Sequence, residues 1–268
     1  MITNVLNIDD YDLREASDIA SSFGTDRYGY VVTPNVDHVI RHYHDPEFRA
    51  LYAQATYVFL DSHFLAHLLR FFKRQRHRVS PGSDLTAMLI SHVIKPNDAA
   101  VMVGGSTEQA QELRTRFGLK ALHHIDPPMN FIRDEAAVES CLKAIEAASP
   151  FRFCFLAVGC PQQEIIALKL KERGVARGLA LCVGASINFL TGAEKRAPPW
   201  IQRSGFEWLF RLARSPKRLA KRYLVRGPRI FLLLPRMELR LRRPVTVSGE
   251  IPAMPVTQPI SVVTASHG

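Results

Sequence analysis

Asp61 directly follows the apolar, β-rich run 57–60, so a carboxyl group stands at a predicted strand tip. There it serves either as a general base or as the cap of the next helix. His38 and His42, and again His63 and His67, are spaced i, i+4 and share a helix face if their segments are helical. Zinc would need further ligands at regular spacing, such as an HExxH glutamate or paired cysteines, and none is evident, so the histidines read as packing or surface residues. The turn Gly159-Cys160-Pro161-Gln162-Gln163-Glu164 places two polar side chains in the first turn of a helix. Gln163 and Glu164 there can hydrogen-bond hydroxyls or a uracil edge, or simply cap the helix. Gly104-Gly105-Ser106 precedes another helix, with Ser106 or Thr107 as N-cap and Glu108 in the first turn. Its glycines could admit an anionic group to the helix N-terminus, or form only a tight turn. No P-loop, Ser-His-Asp order, Asp-x-Asp pair or GxGxxG fingerprint occurs.

These residues sit between elements that can position them. Near-continuous apolar runs at 28–33, 57–60, 99–103, 153–158 and 179–183 alternate with helical stretches. That pattern predicts an α/β fold, a Rossmann-like parallel sheet flanked by helices. The runs end in polar or glycine-containing turns, including Thr33-Pro34-Asn35, Asp61-Ser62 and Gly184-Ala185-Ser186. Ligands of open α/β sheets collect at the carboxyl ends of strands, so these turns are expected on one rim.

The charge is lopsided. Residues 195–243 hold 15 Lys or Arg against Glu207 and Glu238, about +13, which leaves 20 basic and 23 acidic residues elsewhere. Trp208, Leu209, Phe210, Leu212, Leu219, Tyr223, Leu224 and the run 230–234 interleave with these cations. A basic amphipathic appendage of two or three short helices suits an anionic lipid surface at least as well as a nucleic acid. Ser215-Pro216 predicts a helix start and Gly227-Pro228 a helix end. The division expected is a core over 1–194, an appendage over 195–243 that completes the active site, and a proline-rich disordered tail over 244–268. No stretch has the roughly 18–20 apolar residues of a membrane span. Four scattered cysteines, three of them in apolar runs that read as buried strands, predict free thiols in a reducing cytoplasm. Acids near the N-terminus replace the basic start of a secretion signal.

In order, Thr33-Pro34-Asn35-Val36-Asp37, Asp61, Pro81-Gly82-Ser83-Asp84-Leu85, the 159–164 turn, 184–192, Lys195-Arg196-Ala197-Pro198, Glu207-Trp208-Leu209-Phe210-Arg211-Leu212, Pro216-x-Arg218 and Arg222-Tyr223 resemble the WecG/TagA/CpsF glycosyltransferases, glycosyltransferase family 26, over roughly residues 1–230. The resemblance implies an inverting transferase that moves a sugar from a UDP-sugar to an undecaprenyl-diphosphate-linked saccharide at the cytoplasmic membrane face. It places Asp61 where the family has its general base, and Thr33 and Asn35 near the acceptor. Gln163 and Glu164 match its Gln-Glu turn, and Arg196, Arg211, Arg214, Arg218 and Arg222 lie in its basic appendage, from which one or more contact UDP phosphates. With Gly104 and Gly105 these complete the expected substrate-binding set.

Three positions depart from the family pattern. Ser62 replaces a glycine, Gln162 a lysine, and Asn188 a frequent aspartate. No metal or other cofactor is expected, since arginines and helix N-termini can neutralise a diphosphate. The expected partners are the donor, the lipid-linked acceptor and an anionic membrane surface, with homo-oligomers left open and no nucleic acid. Two alternatives remain: a nucleic-acid-binding protein that uses the basic segment, and an inactive membrane-associated scaffold of the same fold.

Overall fold

The computed structural model describes residues 5–242. Its strands are β1 (Val5–Asp9), β2 (Tyr28–Val32), β3 (Tyr57–Val58), β4 (Ala100–Val103), β5 (Leu122–Ile125), β6 (Phe153–Leu156), β7 (Gly178–Cys182) and β8 (Glu238–Arg242). Six of them form a parallel sheet in the order β3-β2-β7-β6-β4-β5, and β1 pairs with β8 in a separate parallel ribbon.

Helices cover both faces of the main sheet, so its central strands are buried throughout: every residue of β4, β6 and β7 is inaccessible. Alternation of side chains then divides the core in two. Val101, Val103, Cys154, Leu156, Ala180 and Cys182 face one apolar cluster. Ala100, Met102, Phe153, Phe155, Leu179 and Leu181 face the other. The α/β fold expected from the apolar runs is present.

All five of those runs are strands, and three further strands have weaker signals. In β5 the sequence Leu-His-His-Ile buries only its first residue, as suits a sheet edge. β1 and β8 lie at opposite ends of the described chain, and β8 alternates Leu with Glu or Arg inside a segment dominated by charge. Asp9 fastens this ribbon to the sheet: its carboxylate accepts from the Val58 N–H at 2.7 Å and from Arg242 at 2.7 Å.

Several local expectations need correction. Cys154 and Cys182 lie on strands, but buried Cys141 is on the helix Glu135–Ala147 and Cys160 is in the turn after β6. All four are free. Gly227-Pro228 does not end a helix: both residues continue the helical path from Pro216–Ala220 through to Leu234–Arg236, because Gly227 stays right-handed at φ −53°. Ser215 precedes that helix as expected but makes no side-chain cap bond.

The basic segment is anchored by its apolar residues. Ile230, Leu233, Leu234, Met237 and Leu239 join the core cluster that contains Leu6, Ile8 and Leu69. Trp208 faces inward, with its ring 6.1 Å from Phe64 and 6.0 Å from Tyr223. The expected tail over 244–268 lies outside the described residues.

The strand-end turns hydrogen-bond to one another. Thr33 donates to the Cys182 carbonyl at 3.3 Å, the Asp61 N–H to the Pro34 carbonyl at 3.1 Å, and the Gly184 N–H to Gln163 Oε1 at 2.9 Å. Gln109, which closes a capping box with Ser106 at the start of Thr107–Phe117, reaches Asn188 and Thr191 at 2.9 Å each. The turns after β2, β3, β6 and β7 are thereby linked, and that after β4 is tied to the segment following β7.

Close approach at the opposite end of the sheet gives a test of this packing. Gly178 has φ +119°, and an added Cβ would lie 1.9 Å from the Phe151 carbonyl oxygen. Gly178→Ala is expected to cost more than about 3 kcal/mol through strain and overpacking. Gly118→Ala, at φ +67° with open space around it, should cost about 1 kcal/mol. Equal denaturation midpoints for the two variants would contradict the packing at Gly178.

Candidate functional site

Asp61 follows β3 at its carboxyl end, and capping of the next helix falls to its neighbour. Ser62 is the N-cap of the helix His63–Lys73, accepting from the Leu65 N–H at 3.2 Å. The carboxylate of Asp61 points elsewhere, and its Oδ1 accepts from the Gly82 N–H at 2.7 Å. This gives Ser62, the residue that departs from the family's glycine, a plain structural task.

Asp61 is half-buried, and its carboxyl is largely withdrawn from water. Desolvation pushes its pKa from the ordinary 3.8 up to about 6, and Glu207 adds to the rise; the Gly82 N–H, Arg196 and Arg211 act against it. Such a group is ionised at neutral pH yet basic enough to accept a proton. Gly82 must stay small, because an added Cβ would sit 2.8 Å from the Thr33 hydroxyl oxygen. Thr33, Asp61 and Gly82 therefore form one packed unit at the rim.

Four of the five expected arginines are held by carboxylates, and two of them, Arg196 and Arg211, lie close enough to act on Asp61. Arg196 grips Asp84 with two guanidinium nitrogens, one of them at 3.1 Å, and its Nε lies 3.8 Å from Glu207. Arg222 donates to Asn35 Oδ1 at 3.2 Å and lies 3.7 Å from Asp37. Glu194 takes Arg218 at 2.9 Å and Arg211 at 3.9 Å. Arg214 is exposed and lies over the Phe210 ring, 5.8 Å from its centroid. Lys195, Arg211, Arg214 and Arg218 line a cleft of about 180 Å³ with Glu194. Cations so grouped suit phosphate oxygens. A larger cavity of about 560 Å³ lies between the helices Glu135–Ala147 and Gln162–Arg173 and includes none of the strand-end residues.

The remaining expected residues are spent largely on the fold. Asn35 caps the helix Val36–His44 by accepting from the Asp37 N–H at 3.1 Å. Gln163 and Glu164 are 3% and 0% exposed. Gln163 Nε2 donates to Glu164 Oε1 at 2.9 Å while its Oε1 holds Gly184, so the pair links two rim turns. Burial pushes the Glu164 carboxyl above its usual range. Gly104 and Gly105 both have positive φ, 84° and 75°; Gly104 is buried, its added Cβ would meet Val158 at 2.8 Å, and its N–H goes to the Ile125 carbonyl. Asn188 accepts from Gln109 and lies 3.5 Å from Glu194. His38 and His42 are buried, and desolvation pushes each pKa down to about 4. His63 is half-buried and lowered for the same reason, with His67 adding to the effect.

The sequence offers little sign of the acidic half of this arrangement. Asp37, Asp84, Glu194 and Glu207 come from four separate segments, and only folding shows which arginine of the cationic segment each meets. Asp84 could have been suspected from the Pro81–Leu85 phrase, but its partner lies 112 residues away.

A protein-family model described as the glycosyl transferase WecG/TagA/CpsF family matches residues 3–244. The match takes in the whole main sheet, the Asp61–Gly82 contact, and the cationic segment through β8. It carries a class of reaction, the transfer of sugar from a nucleotide-sugar donor to a lipid-linked acceptor in cell-surface polysaccharide synthesis. Since the match spans nearly all of the 268 residues and includes every element that builds the rim, the chain belongs to the WecG/TagA/CpsF family of glycosyl transferases.

Proposed function

We propose that the protein transfers one sugar, with inversion, from a UDP-sugar to an undecaprenyl-diphosphate-linked saccharide at the inner face of the cell membrane, in exopolysaccharide or related cell-envelope polysaccharide synthesis. N-acetylmannosamine, its uronic acid and glucose are the donor sugars considered. The observation that carries this reading is Asp61, a desolvated carboxyl at a strand tip, fixed through Oδ1 and close enough to Arg196 and Arg211 to feel their charge.

The reaction is one displacement. An acceptor hydroxyl oxygen bonds to the anomeric carbon as the bond to the UDP oxygen breaks on the opposite face. Asp61 takes the hydroxyl proton, and the Gly82 contact at Oδ1 leaves Oδ2 to receive it. Negative charge grows on the departing diphosphate, where Arg196, Arg211, Arg214, Arg218 or Arg222 would neutralise it without a bridging metal. The arginine contacts to Asp84, Glu194 and Asp37 hold these side chains near the rim before substrate arrives.

The membrane side of the proposal rests on apolar exposure within the cationic segment. Leu224, Val225, Phe231 and Leu232 are exposed and recur about two helical turns apart on the continuous 216–236 path. Phe231 packs on Phe72, beside exposed Phe71. Among the described residues no helix is long and apolar enough to cross a membrane. Docking on the surface would use these anchors together with basic residues worth about 1 kcal/mol each near anionic lipid.

Asp61→Asn is expected to lower kcat by about 10²-fold or more with UDP-sugar and lipid-linked acceptor. Turnover near that of the unsubstituted protein would remove Asp61 from the chemistry, and absence of UDP release from the unsubstituted protein across a donor panel would favour an inactive scaffold.

The pH dependence has a definite sign. The carboxylate form of Asp61 grows as pH rises through about 6, so kcat/KM should climb to a plateau and stand near a tenth of it at pH about 5. A profile flat down to pH about 4.5 would exclude a base of this pKa.

Removing the whole segment would strip Ile230, Leu233 and Leu234 from the core, so docking is best tested in the full chain. The double substitution Leu224→Glu with Phe231→Glu should abolish sedimentation with anionic liposomes, and added salt should weaken binding of the unsubstituted protein. Unchanged sedimentation of the double variant would refute this docking surface; retention of nucleic acid under the same conditions would favour the nucleic-acid alternative.

A further inference from the structure

Beneath the rim, on the side of the helix Val36–His44, three side chains from two distant parts of the sequence converge. A ring nitrogen of His38, the Cys160 thiol and a carboxylate oxygen of Glu164 all lie within 4.8 Å of one another. His38 and Glu164 are 6% and 0% exposed. Nδ1 of His38, Oε2 of Glu164 and the hydroxyl of Tyr52 are buried with no partner of good hydrogen-bond geometry, although the Cys160 thiol faces the Glu164 carboxyl and the Thr33 backbone faces His38. The Tyr52 ring lies against His38, with centroids 6.4 Å apart.

Unpaired polar atoms at such depth are costly, and several at one place call for a ligand. Donor atoms within 4.8 Å of one another leave room between them for a ligand of the size of an ion or a water. The donor set, one nitrogen, one sulfur and one carboxylate oxygen, is that of zinc, since magnesium and calcium take oxygen ligands. Zinc bonds of about 2.0–2.3 Å put tetrahedral ligand atoms about 3.3–3.8 Å apart, so closure by about 1 Å through side-chain rotation would bring the three donors to zinc, with a water as the fourth ligand.

We propose that His38, Cys160 and Glu164 form a zinc-binding site that ties the turn after β6 to the helix following β2. Its place is next to the residues that hold Arg222: Asp37 directly precedes His38, and Asn35 stands about one turn before it. Bound zinc would satisfy the buried carboxylate and imidazole together and stiffen this corner of the rim. The task is structural and separate from sugar transfer, in which no metal is assigned. The sequence alone offers His38 and His42 at helical spacing, yet His42 is not in this group; the other donors come from more than 120 residues away.

The test measures metal in the full-length protein, purified without chelator from zinc-supplemented medium. Elemental analysis should give about one zinc per chain, falling at least tenfold in Cys160→Ser, whereas Cys141→Ser, at a buried thiol outside the group, should retain it. Cobalt added in place of zinc should produce a sulfur-to-cobalt charge-transfer absorption that Cys160→Ser abolishes. Circular dichroism melting shows whether the variants fold, and the unsubstituted protein is decisive without them. Background zinc and no charge-transfer absorption in the unsubstituted protein would overturn the site, leaving a thiol–carboxyl hydrogen bond at this place. Zinc retained in full by folded Cys160→Ser would also overturn it, assigning the metal to surface histidines. Neither readout depends on transferase activity.

Discussion

The seating of the cationic segment against the strand tips governs what this site can do. Held there, Arg196 and Arg211 lie close enough to Asp61 for their charges to act on its carboxyl, with no arm to be ordered first. Ion pairs alone would not hold them, because partly exposed pairs contribute about 0–1 kcal/mol each. Burial of Leu219, Ile230, Leu233, Leu234 and Met237, at about 1.5–3 kcal/mol for each side chain, is the larger effect. The hydrophobic effect therefore places the segment, and the carboxylates of Asp37, Asp84, Glu194 and Glu207 orient the guanidinium groups upon it.

The same packing accounts for the character of Asp61. A carboxyl at an open strand end would keep an ordinary acidity, but the helix Gly82–Met88 and the cationic segment close over it and exclude water. One hydrogen bond from Gly82 fixes its direction, and Ser62 relieves it of helix capping. Opposing influences then leave the group near neutrality, the range in which a base both ionises and accepts a proton. A polar side chain one residue further on thus takes over the cap and leaves the carboxylate to the rim.

Gln163 and Glu164 show how a site-like phrase in a sequence can serve mainly as scaffold. Their first-turn position suits ligand binding, yet both are buried, and the Gln163 amide bridges Glu164 to the backbone of Gly184. Their chemistry acts on the rim from below by holding two turns at a fixed separation. Asn35 divides its oxygen similarly, between the cap of its own helix and Arg222.

The sequence by itself determined the parallel α/β class, because strands buried on both faces must be apolar almost throughout, and β2, β4, β6 and β7 are. It also determined that polar turns follow those strands and that Asp61 stands at one of them. β1 and β8 were hidden by charged neighbours and by pairing between opposite ends of the chain. The helical path through Gly227-Pro228 was hidden too, since packing of Ile230 and Leu233 outweighs local breaker propensity. Only the tertiary structure decided which acid meets which arginine of the cationic segment, and that His38, Cys160 and Glu164 come together. Local pattern reports what a segment must bury, but the partner that covers it or neutralises it is set by long-range packing.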